Sequence, residues 1–171
     1  WHTHLHSHMT AVLEHVRDRN IGTLLKRDQR QWAIENGIET ITWTFDPLVR
    51  RNARLNILKL GADVSEYLVN FYGLMQDQLN HGDESDRMMA AWNVNSPKAH
   101  LAAEGGLPPL TTIPDSAVVV PLPEDIVALR QHNLDEAKAW RLRVREQVTA
   151  AFADGYRLIG LDPHDSYVFD K

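Results

Sequence analysis

Between positions 2 and 13 side chains alternate, with His2, His4, His6 and His8 on one face and Thr3, Leu5, Ser7 and Met9 on the other. A period of two predicts a strand, running on through Thr10-Ala11-Val12-Leu13. A polar stretch from Glu14 to Asn20 follows, and Gly22-Thr23 opens a run of good helix formers, Leu24 to Asn36, stopped by Gly37. Ile38 to Phe45 is rich in β-branched and aromatic residues and reads as a half-buried strand ended by Asp46-Pro47. Leu48 to Leu60 reads as a second helix closed by Gly61. This βαβα order predicts parallel strands. Two more strands are expected at 63–72 and 87–94, then an irregular stretch at 95–115 containing Gly105-Gly106, Pro108-Pro109 and Pro114. Val118 to Val120, with Pro121 and Pro123 behind it, suits an edge strand. Leu134, Ala137, Trp140, Val144, Val148, Ala151 and Phe152 recur at helical spacing within 133–154, and 156–161 with 166–169 flank Asp162-Pro163-His164-Asp165 as a hairpin.

Composition narrows the classes. The chain has 171 residues, 43% of them hydrophobic, enough to bury a core. Its 18 basic and 23 acidic residues give a net charge of -5, which argues against a general nucleic-acid binder but leaves local basic loops free to hold an anion. There is no cysteine, so disulfides, thiolate nucleophiles and Cys-based zinc sites are excluded, and a reducing cytoplasm is the expected compartment. No apolar run approaches the roughly 18 residues that cross a bilayer, so no membrane partner is expected.

Arg17-Asp18-Arg19-Asn20-Ile21-Gly22 lies between a predicted strand and a predicted helix. Unpaired amides at a helix start, the positive end of its dipole and two arginines make a place for a pyrophosphate. The segment resembles the acyl-CoA loop of the GNAT acyltransferase superfamily, Arg/Gln-x-x-Gly-x-Gly/Ala, with Arg17 first, Asn20 at the first glycine position and Gly22 at the second. Asparagine departs from that pattern but tolerates positive φ. The order of elements after the loop fits the family. So do His6-Ser7-His8-Met9, Ile41 to Leu48, Asn52-Ala53, Leu55-Asn56, Lys59 to Ala62, Asn70 with Tyr72-Gly73, and Ser85-Asp86-Arg87, which resemble a poorly characterised bacterial subgroup over residues 5–95.

The resemblance implies an α/β (α+β) fold. Residues 1–95 would form a GNAT-like mixed sheet with flanking helices and without the family's N-terminal strands. A linker at 96–117 and a C-terminal strand, helix and hairpin extension at 118–171 would follow. It further implies a CoA thioester, acetyl-CoA or succinyl-CoA, as co-substrate, a small primary amine such as an amino acid as acceptor, and no metal. In such proteins the strand before the loop splays from the next, and the pantetheine arm lies in the gap. Carried over, Ala11 and Val12 would bond pantetheine, Arg17, Arg19, Asn20, Ile21, Gly22 and Thr23 would cradle the pyrophosphate, and Asn52 and Asn56 would reach pantetheine or acceptor.

Acyl transfer from a thioester needs a neutral amine, a polarised carbonyl and a proton for the departing thiolate. The family's usual tyrosine acid falls on Ile57, and Tyr67 and Tyr72 are the nearest alternatives. Strand tyrosines commonly serve packing instead. His8 is a candidate base, or a histidine bonded to the backbone. Same-face histidines lie ~7 Å apart along a strand, too far for more than two to share one metal.

The resemblance also expects material before Trp1, because the family's fold opens with a strand, two helices and two further strands. A clipped protein, a fragment completed by another chain and a self-associating remnant are the alternatives. The edge near His2 to Met9 is then expected to be covered by a second copy or by the C-terminal segment, making a homo-oligomer or dimer. A non-catalytic interaction module that keeps the scaffold without its acid is the competing function.

Overall fold

The structure, a computed structural model, describes residues 4–8, 10, 12, 13, 15, 19–73 and 82–171. In chain order the elements are β1 (His4–His6), α1 (Ile21–Glu35), β2 (Thr40–Phe45), α2 (Arg50–Ala53) continuing into a π-helical stretch Arg54–Lys59, β3 (Asp63–Leu68), β4 (Arg87–Asn93), α3 (Pro97–Gly105), β5 (Val118–Val120), α4 (Ile126–His132), α5 (Leu134–Ala153), β6 (Arg157–Leu161) and β7 (Tyr167–Asp170). The fold is mixed α and β, and the described strands form two sheets, ordered β1-β2-β4-β3 and β5-β7-β6.

In the first sheet β1 runs parallel to β2, while β4 is antiparallel to both β2 and β3. The alternation of β2 sends Ile41, Trp43 and Phe45 into the core, which has the strand buried on that face. A bulge between Val64 and Glu66 shifts the register of β3 against β4. The second sheet is antiparallel throughout, with β5 at its edge. Buried side chains from both sheets and from α1 through α5 join one apolar cluster, running from Ala33, Ile41 and Trp92 to Val144, Leu161 and Phe169.

Local chemistry sets the helix boundaries. Ser96, Asp125 and Asn133 cap α3, α4 and α5 through their side-chain oxygens, and Pro97 occupies the first turn of α3, where its missing N–H costs nothing. Gly37 stops α1 at φ 68°. At Gly61, φ is 67° and a Cβ would stand 2.7 Å from the Lys98 carbonyl oxygen, so conformation and space both require glycine.

Several expectations are corrected. The strand expected over 2–13 is confined, among the described residues, to His4–His6, because pairing with β2 ends there. The expected helix at 48–60 is a short α-helical turn that widens into π-helix. The strand expected at 63–72 ends at Leu68, where the chain turns through Asn70 at φ 46°. Pro97–Gly105 is helical inside the stretch read as irregular, and α4 lies where no helix is expected. Among the described strands only β1 and β2 pair in parallel; β3 and β4 pair antiparallel. Among the described residues no C-terminal strand pairs with β1; β5, β6 and β7 form their own sheet.

Candidate functional site

β2 continues to Phe45, but its pairing with β1 stops at Thr42, and the Ser7 amide donates a last bond of 2.7 Å to the Thr42 carbonyl. Beyond that bond the two segments part around a cleft of about 380 Å³. Ser7, His8 and Thr10 form one side, Trp43, Thr44 and Phe45 the other, and Asn52, Leu55 and Asn56 close it from the α2 side. Arg51, Arg87 and Arg130 also line it, with Asp46 as the carboxylate among the lining residues. A cleft so rich in cations, in a chain of net charge -5, favours an anionic ligand.

Lys26 reaches this cleft from α1. It is only 4% exposed, and its ammonium donates to Ser7 Oγ at 2.9 Å and Gln29 Oε1 at 3.1 Å while lying 3.9 Å from the centre of the Trp43 ring. Burial pushes its pKa down to about 8. Trp43 is held in turn, its indole N–H donating to Asn56 Oδ1 at 3.1 Å and its ring meeting Trp92 edge-on at 5.9 Å. Thus α1 presents Thr23, Lys26 and Ala33 to the interior, while Leu24, Leu25 and Trp32 face outward.

The expected residues divide into groups. His8, Asn52 and Asn56 line the cleft, although Asn56 already spends its carbonyl oxygen on Trp43. Tyr72 is beside it: its hydroxyl lies 3.0 Å from Thr44 Oγ1, and the Arg87 guanidinium sits 5.3 Å over its ring. Tyr67 serves another purpose, donating at 2.7 Å to Asp86 Oδ2, and burial together with that carboxylate raises its pKa. Ile57 is in the core. Ala11 and Arg17 lie outside the described residues.

Arg19, Asn20, Ile21, Gly22 and Thr23 do not line the cleft, which ends at Lys26 one turn further along α1. Arg19 and Asn20 are exposed and Thr23 is buried. Asn20 takes the left-handed conformation at φ 57°, which asparagine tolerates, and makes no side-chain cap. Its Oδ1 instead accepts from Lys59 Nζ at 2.8 Å. The first turn of α1 therefore carries no capping side chain and no acidic residue, and an ammonium stands next to it. Val12 packs close to Gly22, where a Cβ would sit 3.9 Å from Val12 Cγ2, so the segment leaving the cleft leads to this helix start.

Behind the cleft a charged network ties α4 and α5 to the first sheet. Arg130 bonds Asp46 at 2.7 Å, Arg141 bonds the fully buried Asp83 at 2.7 Å, and Arg145 bridges Glu84 and Asp86. Burial alone would raise the Asp86 carboxyl; bonds from Arg145, the Asn70 amide and Tyr67 outweigh it and hold the pKa below the usual range. Bonding to Arg145 likewise lowers Glu84.

Sequence reasoning assigned no role to Ser7, Lys26, Gln29, Trp43 or Lys59. A lysine following Leu24-Leu25 reads as solvent-facing; only the Thr23-Lys26-Arg30-Ala33 spacing hints at the inward stripe.

No family model, curated protein or solved structure matches the chain. Among the described residues no group of three or more His, Asp or Glu is placed to hold a metal, and no helix is long and apolar enough to cross a membrane.

Proposed function

We propose that the cleft binds an acyl-CoA thioester and that the chain transfers its acyl group to a primary amine. The observation that carries this reading is the parting of β1 from β2: the strand edge beyond Thr42 borders an open cleft, and the chain leaving it leads to an uncapped helix start. The pantetheine arm would lie along Trp43 to Phe45 as an added strand, bonding backbone groups, with the diphosphate at the amides of Ile21 to Thr23 beside Arg19 and Lys59. For direct transfer from thioester to amine, Tyr72, whose hydroxyl contacts Thr44, would protonate the leaving thiolate, and His8, which lines the cleft, would take the proton from the amine. Arg51 and Arg87 suit an acceptor bearing a carboxylate, such as an amino acid.

A second reading, a non-catalytic interaction module, draws on Ile57 in the place of the family's acid and on the outward apolar face of Leu24, Leu25 and Trp32. Titration calorimetry with CoA, acetyl-CoA and succinyl-CoA separates the two. The acyltransferase reading expects binding weakened about tenfold or more by Arg19→Ala combined with Lys59→Ala, through loss of charge-assisted contacts. No heat with any of the three favours the module.

A further inference from the structure

Ser7, Lys26 and Gln29 meet in a way that acyl-CoA binding does not require. Ser7 Oγ accepts from Lys26 Nζ at 2.9 Å and from Gln29 Nε2 at 3.2 Å, and Gln29 Oε1 accepts from the same lysine at 3.1 Å. A hydroxyl in reach of a base, with a third group orienting that base, is the arrangement of an activated nucleophile. All three side chains come from two segments fixed by β1–β2 pairing and by α1, and Ser7 and Lys26 both line the cleft.

We infer that Ser7 is an acyl-accepting nucleophile with Lys26 as its base, so that the acyl group passes through a serine ester. The inference rests on the acyl-transfer reading for the donor but not for the chemistry of the dyad. Neutral Lys26 removes the Ser7 hydroxyl proton as Oγ attacks the carbonyl carbon. The bond from that carbon to the leaving sulfur or phenolate oxygen then breaks, and the Lys26 ammonium returns its proton to the leaving group. In the second half an amine or water attacks the ester, Lys26 accepts its proton, and Ser7 Oγ leaves and regains a proton from Lys26. Gln29 is a positioning residue: its amide N–H opposes charge growing on Ser7 Oγ, and its carbonyl turns the amine toward the serine.

Lys26 has no carboxylate partner among the described residues, and the Trp43 face below it offers only a ring. The charged or titratable groups around this place are His6 and His8 flanking Ser7, with Asp46, Arg51, Arg87 and Arg130 across the cleft. Asp46 is taken by Arg130. With burial holding its pKa near 8, Lys26 is neutral in a usable fraction at mildly alkaline pH.

The test uses p-nitrophenyl acetate as an acyl donor that needs no CoA site, followed by peptide mass mapping. One hydroxylamine-labile acetyl group is expected on Ser7, absent in Ser7→Ala and recovered as a thioester in Ser7→Cys. Lys26→Met is expected to slow acylation by about 10² to 10⁴-fold. The rate should rise with pH through about 8, and Gln29→Leu should move that midpoint down. Mapping the unaltered chain locates the adduct even where a variant fails to fold. Acetyl on Lys26 or surface amines alone, or no adduct, overturns the proposal. A Ser7 ester in a chain that gives no heat with CoA keeps the dyad and removes the acyl-CoA reading. Heat with CoA and no Ser7 ester does the reverse.

Discussion

Replacing Arg130 with methionine is expected to lower the free energy of unfolding by about 3–5 kcal/mol, measured by urea denaturation. Its guanidinium is almost wholly buried, bonds Asp46 Oδ2 at 2.7 Å and stands 3.6 Å from Asp83 Oδ2. Methionine fills much of the same space but leaves two carboxylates short of a cation, one of them fully buried. Arg141 still holds the other oxygen of Asp83, which limits the loss. Adding Asp46→Asn to the variant should restore part of the stability, because the charge stranded by the first change is then removed. A loss under about 1 kcal/mol would mean that water reaches the network and screens it. The effect matters for the site, since Arg130 and Asp46 both line the cleft.

Trp92→Ala is expected to cost about 3–5 kcal/mol, the usual penalty for emptying a buried aromatic position. Trp92 is 1% exposed on the central strand β4 and supports Trp43 edge-on at 5.9 Å. The Lys26 ammonium lies 3.9 Å from the centre of the Trp43 ring, so a cavity beside Trp43 also loosens the cleft. Trp92→Phe should cost clearly less. The cavity is smaller, and the indole N–H it removes is buried without a hydrogen-bond partner among the described residues. Equal losses for the two variants would contradict the packing account. Urea unfolding gives both values, and the Trp43 indole N–H resonance, separate from those of Trp1, Trp32 and Trp140, reports whether the cleft wall has moved.

The elements legible in the sequence are those whose signals are local. The alternation of β2, the glycine stops after α1 and the π-helical stretch, the periodicity of α5 and the hairpin of β6 and β7 all depend on neighbours in sequence. What escaped depends on partners elsewhere. The alternation after His6 looks like strand, but a strand extends only as far as its neighbour pairs with it, and that pairing ends at Thr42. Seven residues of α4 between a proline-rich approach and Asn133 carry too little periodicity to register.

The same division holds for the site. That a helix begins near Gly22 was readable from local chemistry; it starts at Ile21, one residue after Asn20 turns the chain at φ 57°. Lys26 was not readable. Its burial is decided by the Trp43 ring on another element and by Ser7 on a third, and α1 turns two leucines and a tryptophan outward to bring it in. Tyr72 and Tyr67 were indistinguishable by residue type; the carboxylate of Asp86 beside one and the hydroxyl of Thr44 beside the other separate them.

Amide and indole NMR shifts of the labelled chain during titration with acetyl-CoA test the central claim most directly. The account predicts saturable shifts at Ser7 to Val12, Ile21 to Thr23 and Trp43 to Asp46, including the Trp43 indole N–H, with the β5-β7-β6 sheet unmoved. Shifts confined to that second sheet, or none at saturating acetyl-CoA, would contradict it.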